Sequence, residues 1–133
     1  MVSHFRLARP VSDLVRTDAM YRAGLGLVRL GHFEDHEGFD GVMLGVSGED
    51  YHFEFTYCRF HPVTPSPTPE DLLVFYIPDP KAWELRCDAL LGAGFVEVDS
   101  MNPYWARDGR TFQDADGYRL VIQCASWIGN PEI

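Results

Sequence analysis

His52, Glu54 and Thr56 stand two residues apart in the alternating stretch Tyr51-His52-Phe53-Glu54-Phe55-Thr56. Residues two apart in a β-strand share a face, so these three polar side chains point together, and His4 and Arg6 do the same near the N-terminus. His4, His52 and Glu54 make up the donor set of a 2-His-1-carboxylate metal site with open coordination positions. One divalent ion held there could polarise a substrate oxygen. The plainer reading, which we adopt, leaves His4 at a fraying terminus and makes His52 a hydrogen-bonded strand histidine. His32, His36 and His61 fall at loop or linker positions and are expected to be solvated. Tyr104 and Trp105 could form a stacking wall for a flat ligand, although an aromatic pair on a strand also serves a core or an interface. Cys58, Cys87 and Cys124 are odd in number and widely spaced. They read as buried thiols rather than zinc ligands or disulfides. No serine stands in a nucleophile elbow, and no phosphate loop is present.

The elements that must position these residues repeat once. Gly24-Leu25-Gly26-Leu27-Val28 matches Gly92-Ala93-Gly94-Phe95-Val96 at an offset of 68, as Asp40-Gly41 matches Asp108-Gly109. Tyr51 to Phe55 matches Tyr118 to Ile122 at an offset of 67. In the first half, the pattern predicts a strand at 4–9, a helix at 13–23 capped by Asp13, and strands at 27–33, 39–46 and 51–58. An acidic loop, Glu34-Asp35-His36-Glu37, lies between the second and third strands. In the second half it predicts a strand at 72–77, a helix at 80–91, and strands at 95–99, 104–113 and 118–124. Asp79 caps the second helix and Pro80 opens it. Trp83, Cys87, Leu90 and Leu91 form its expected sheet-packing face.

His61-Pro62-Val63-Thr64-Pro65-Ser66-Pro67-Thr68-Pro69 holds four of the nine prolines and reads as an extended linker. The expected organisation is therefore one α+β domain over 1–133: a βαβββ module at about 4–58, a linker at 59–71 and a second βαβββ module at 72–125. Neither half alone would bury much core. The composition is 46% hydrophobic and 23% charged over 133 residues, which excludes a disordered chain. Eleven Lys and Arg against twenty Asp and Glu argue against nucleic acid or an anionic membrane as partner. No apolar run approaches a membrane span, and no secretory leader opens the chain, so a cytoplasmic location is expected.

These landmarks resemble the vicinal oxygen chelate superfamily, which includes glyoxalase I, bleomycin-resistance proteins, fosfomycin-resistance enzymes and extradiol dioxygenases. Val11-Ser12-Asp13-Leu14, Met20-Tyr21 and Leu25-Gly26 are similar to its V-x-D-L, FY and LG landmarks. Asp114-Ala115-Asp116-Gly117-Tyr118 is similar to its D-P-D-G-[YFN] turn, with Ala115 in place of proline. Phe53-Glu54-Phe55 looks like the strand carrying a metal glutamate in glyoxalase I.

The resemblance implies a domain of two paired βαβββ modules, glyoxalase/bleomycin-resistance/dioxygenase-like, whose curled sheets line a cavity. It also implies four metal-ligand positions, two per module, which fall here on Arg6, Glu54, Leu72 and Val121. Only Glu54 can coordinate a metal, since arginine is permanently cationic and the other two offer no lone pair. No metal cofactor is therefore expected, and enzyme status stays open, with Glu54 the one catalytic candidate. The expected function is metal-independent binding of a small molecule. Arg6, Glu54, Thr56 and Gln123 would be polar lining groups, Leu72, Val74, Tyr76 and Val121 an apolar wall, and Trp105 a stacking surface. The alternative is a metal-dependent lyase or dioxygenase using a displaced site at His4, His52 and Glu54. A buried, bidentate Arg6–Glu54 ion pair is expected where relatives hold metal, and a homodimer is the expected assembly.

Overall fold

The computed structural model describes residues 1–128. Asp13 leaves the extended region only at the next residue, and its side chain accepts from Arg16 N–H, which starts α1 (Leu14–Leu25) after β1 (Phe5–Pro10). Gly26, at φ +69°, ends that helix in the left-handed conformation that glycine adopts without strain. Then follow β2 (Val28–His36), β3 (Phe39–Gly45) and β4 (Tyr51–Cys58). In the second module β5 (Leu72–Tyr76) leads to α2 (Pro80–Gly92), capped by Asp79 and opened by Pro80. β6 (Val96–Val98), a 3₁₀ turn (Pro103–Ala106), β7 (Gly109–Gln113) and β8 (Arg119–Gln123) complete it.

Each module forms one four-stranded sheet, in the orders β1-β4-β3-β2 and β5-β8-β7-β6. β1 runs parallel to β4 with Arg6 opposite His52, and β5 runs parallel to β8 with Leu72 opposite Arg119. The paired βαβββ architecture is thus the one expected, and the residue offset of the repeat is also the offset of the strand pairing.

Two elements differ from expectation. The acidic segment 34–37 is no open loop: β2 continues to His36, and Glu37-Gly38, both at positive φ, turn directly into β3. A two-residue turn of that handedness matches the twist of a hairpin, and it puts His32 and His36 on a strand, where both are exposed. Residues 104–108 are not strand either. Asn102 accepts from Tyr104 N–H and Pro103 opens a short 3₁₀ turn, so Tyr104 and Trp105 lie in a cap before β7.

The core lies between the two sheets. Phe53 and Phe55 of β4, Leu120 and Ile122 of β8, Tyr21 of α1 and Leu90 of α2 belong to one buried cluster. Tyr21 touches Phe55 at 4.7 Å and Phe95 at 5.2 Å between ring centroids, and Phe53 meets Phe75 across the modules at 6.3 Å. Gly24 makes the close approach of α1 to the second module possible, since a Cβ there would collide with Leu90 and Phe95. Cys87 and Leu90 are fully buried on α2, whereas Leu91 is exposed and leaves the expected packing face. The turn at 114–118 ties the halves together. Tyr21 Oη donates to Asp114 Oδ2 at 2.6 Å, and Ser12 donates from both its N–H and its hydroxyl to the Asp116 carboxylate. Burial pushes the Asp114 carboxyl up, while the hydrogen bonds from Tyr21, Asp116 N–H and Tyr118 N–H oppose it.

Candidate functional site

Strand alternation assigns a face to every candidate. Phe53 and Phe55 turn inward, so His52, Glu54 and Thr56 turn to the other side of their sheet with Arg6, which pairs with His52. Leu120 and Ile122 turn inward likewise, so Val121 and Gln123 share the outer face of the second sheet with Leu72, Val74, Tyr76, Gly109 and Thr111. The two faces back onto a common core. Within one chain the expected lining residues therefore fall into two groups that do not meet in one cavity: the larger cavity reaches Leu72, Val74 and Tyr76 but none of Arg6, Glu54, Thr56, Trp105, Val121 or Gln123.

On the first face a chain of hydrogen bonds runs along the sheet edge. Arg6 Nη1 lies 3.1 Å from Glu54 Oε2, and Arg6 Nε donates to His52 Nε2 at 2.8 Å. That nitrogen must be the unprotonated one, because guanidinium has no acceptor. The neutral His52 ring then carries its proton on Nδ1 and donates to His4 Nε2 at 2.6 Å. Partial burial, the Arg6 charge and His4 hold the His52 pKa below its ordinary value, with Glu54 opposing them. The expected ion pair is present, but it is neither buried nor bidentate. The Arg6 side chain is 48% exposed and that of Glu54 15%, and half of the guanidinium fork is given to the histidine.

The donor set does not fit the metal of the superfamily's chemistry. Arg6, Leu72 and Val121 stand at three of the four positions that the resemblance assigns to ligands, and Arg6 itself takes up Glu54 and the free nitrogen of His52. Among the described residues no three His, Cys, Asp or Glu side chains converge as ligands.

The second face is sealed by its own side chains. Val121 is 0% exposed, Thr111 3% and Gln123 4%. Gly109 has room for no Cβ, because the Gln123 amide and the Trp105 carbonyl close over it. Gln123 Oε1 is buried there with no donor among the described residues. Sequence reasoning passed over Gly109 and Thr111, although the repeated Asp-Gly pairs at 40–41 and 108–109 mark the strand that carries them.

Comparison with known proteins agrees with the two-module fold. Residues 5–56 match the YycE-like N-terminal domain, and residues 70–124 match the YycE-like C-terminal domain. The chain is 42% identical over 126 residues to the uncharacterized protein YycE of Bacillus subtilis (strain 168), spanning 95% of this chain and 91% of that one. The chain belongs to the YycE-like family. The crystal structure of the Bacillus subtilis YycE protein superposes with a TM-score of 0.89 at 40% identity, covering 96% of this chain and 93% of that one. That protein is described as one of unknown function, suggested to be a glyoxalase/fosfomycin resistance protein. The fosfomycin resistance protein FosX of Mesorhizobium loti shares the fold alone, with a TM-score of 0.71 at 12% identity over 95% of this chain and 92% of that one. This YycE-like chain thus has the glyoxalase/fosfomycin-resistance fold of the vicinal oxygen chelate superfamily. Among its described residues no helix is long and apolar enough to cross a membrane.

Proposed function

We propose that this YycE-like chain is a metal-independent small-molecule-binding protein that acts in the cytoplasm as a homodimer. The observation that supports the reading is the Arg6–His52–Glu54 network, in which a cation holds Glu54, the one residue able to coordinate among the positions that the resemblance assigns to metal ligands. A half-exposed guanidinium with unused N–H groups offers a ligand charge and direction. Because the two lining faces back onto one core, a closed cavity calls for a second chain. The outer face of one chain's first module would then lie against that of the other chain's second module, where Leu72 and Val74 are half-buried and Tyr76 is exposed.

The test is turnover. Purified protein, supplied in turn with zinc, nickel or manganese, is offered the methylglyoxal–glutathione adduct that glyoxalase I consumes. No conversion above the buffer rate is expected, and metal-dependent turnover would overturn the proposal. Light scattering should give twice the 15.1 kDa chain mass. A clean monomer at micromolar concentration would remove the shared-cavity part.

A further inference from the structure

A cavity of about 640 Å³ opens elsewhere, between the core-facing side of β1 and β4, the chain just after α1, and the edge strand β5. Its volume falls in the usual range for ligand pockets of about 300–1,000 Å³. Its walls are apolar: Leu25, Leu27, Phe53, Phe75 and Ile122 line the depth, and Phe5 and Val46 stand exposed at the mouth. Exposed apolar groups around a concave site are costly to leave in water and mark a place where something binds.

Arg86 is the one charged residue in this lining. It projects from α2, and its Nη1 donates to the Gly24 carbonyl at 3.0 Å. It takes no part in the ion pairs found among the described residues, which engage Arg6, Arg22, Arg29, Arg59 and Arg110. Twenty acidic residues outnumber eleven basic ones in this chain, yet among the described residues this guanidinium has no carboxylate partner beside its apolar cavity. Of its five N–H donors one is committed to Gly24.

We infer that this crevice binds an amphiphile: an unbranched apolar chain lying between the modules, ending in an anionic head, carboxylate or phosphate monoester, held by Arg86. The apolar walls supply affinity through burial, and the guanidinium fork selects the head because both head groups accept paired N–H bonds. This site is distinct from the open face that carries Arg6, Glu54 and Thr56, and it shares only Leu72, Val74 and Tyr76 of the edge strand with the second module's outer face.

The experiment is calorimetric titration of the protein, in its native assembly, with dodecanoate, dodecyl phosphate and dodecanol, each below its aggregation limit. At least one of the two anions should saturate at one per chain, and the tighter of them identifies the head. Dodecanol should bind roughly tenfold or more weakly, as expected from losing a charged hydrogen bond. Arg86→Gln should erase that preference while leaving dodecanol unchanged, and Arg86→Lys should keep most of it, which separates loss of charge from loss of fold. Val46→Trp, filling the mouth at an exposed position, should weaken all three ligands. The inference is overturned by absence of saturable binding, by equal affinity for the alcohol and both anions, or by an Arg86→Gln protein that retains the preference. It is equally overturned if Val46→Trp dissociates a dimer without changing ligand affinity, because a second copy would then be the occupant.

Discussion

The outer faces of the two modules share a backbone and differ in nearly every side chain that matters. Arg6, His52, Glu54 and Thr56 of the first occupy the positions of Leu72, Arg119, Val121 and Gln123 of the second. The first face is wet, with Arg6 48% exposed in its pair with Glu54, whereas the second buries Val121 completely. Pairing register decides where a side chain points, but the neighbours decide whether water reaches it. On the open face the Glu54 carboxylate, 15% exposed, keeps the half-exposed Arg6 guanidinium as its counter-ion. The same carboxylate in the closed face would lose its hydration, and the Arg119 guanidinium on that face is already engaged by Gln113 and the Asp99 carbonyl.

Exchanging residues between the faces should break this contrast most visibly. Val121→Glu is expected to destabilise the protein by about 3 kcal/mol or more, since it buries a charge in a closed face where Arg119 is already engaged by Gln113 and the Asp99 carbonyl. Glu54→Val, its counterpart on the open face, should cost under about 1 kcal/mol, because the arginine left behind remains solvated. Denaturant melts of the two variants check both, and similar losses would mean that the faces are equally buried.

The next effect concerns the seam that makes the faces point apart. Tyr21→Phe removes the buried bond to Asp114 and should cost about 1–3 kcal/mol. A loss of only a few tenths in the same melts would mean that the turn at 114–118 does not fasten the modules.

Smaller effects sharpen the account of the open face. The sequence alone suggests a buried Arg6–Glu54 pair with strong coupling, but the exposure of Arg6 reduces the expectation to about 0–1 kcal/mol in a cycle of Arg6→Leu, Glu54→Leu and the double variant. Coupling well above that range would mean that water is excluded from the pair. His52 adds a pH dependence. Its folded pKa is lowered, so the unfolded chain binds the proton more readily. The stability it contributes is therefore present above the ordinary histidine pKa and is lost as pH falls through that value toward the lower folded one. Thermal melts across this window should slope downward with acid in the wild type and less steeply in His52→Gln. Parallel slopes would remove His52 from the network.

Much of this was legible because repetition carries three-dimensional information. Offsets of 66 and 67 residues place Leu72 and Val121 at the positions of Arg6 and Glu54, and the strand pairs keep that correspondence. Alternation also placed Arg6, His52 and Glu54 together, because period two is a local property of strands. The mutual placement of the two sheets was not legible. It depends on Gly24 admitting α2 and on Tyr21 reaching Asp114, contacts between residues far apart in sequence. Likewise the Arg6–His52–His4 chain depends on which nitrogen faces which, and residue type does not encode that. The 3₁₀ turn carrying Trp105 had a readable signal in Asn102-Pro103, a cap followed by proline, which reading the adjacent Tyr104 and Trp105 as strand residues outweighed. The crevice beside Arg86 has no linear signature, since strands, helix and the segment after α1 contribute to it from distant parts of the chain.

The central claim is that Arg6 and its partners replace the superfamily metal on the open face. It is tested most directly by elemental analysis of protein stripped with chelator, incubated with equimolar zinc, nickel, manganese and iron(II), and then desalted. The account predicts well under one ion per chain for every metal, and no change on replacing Glu54 with glutamine. One firmly held ion per chain, lost in Glu54→Gln, would contradict it.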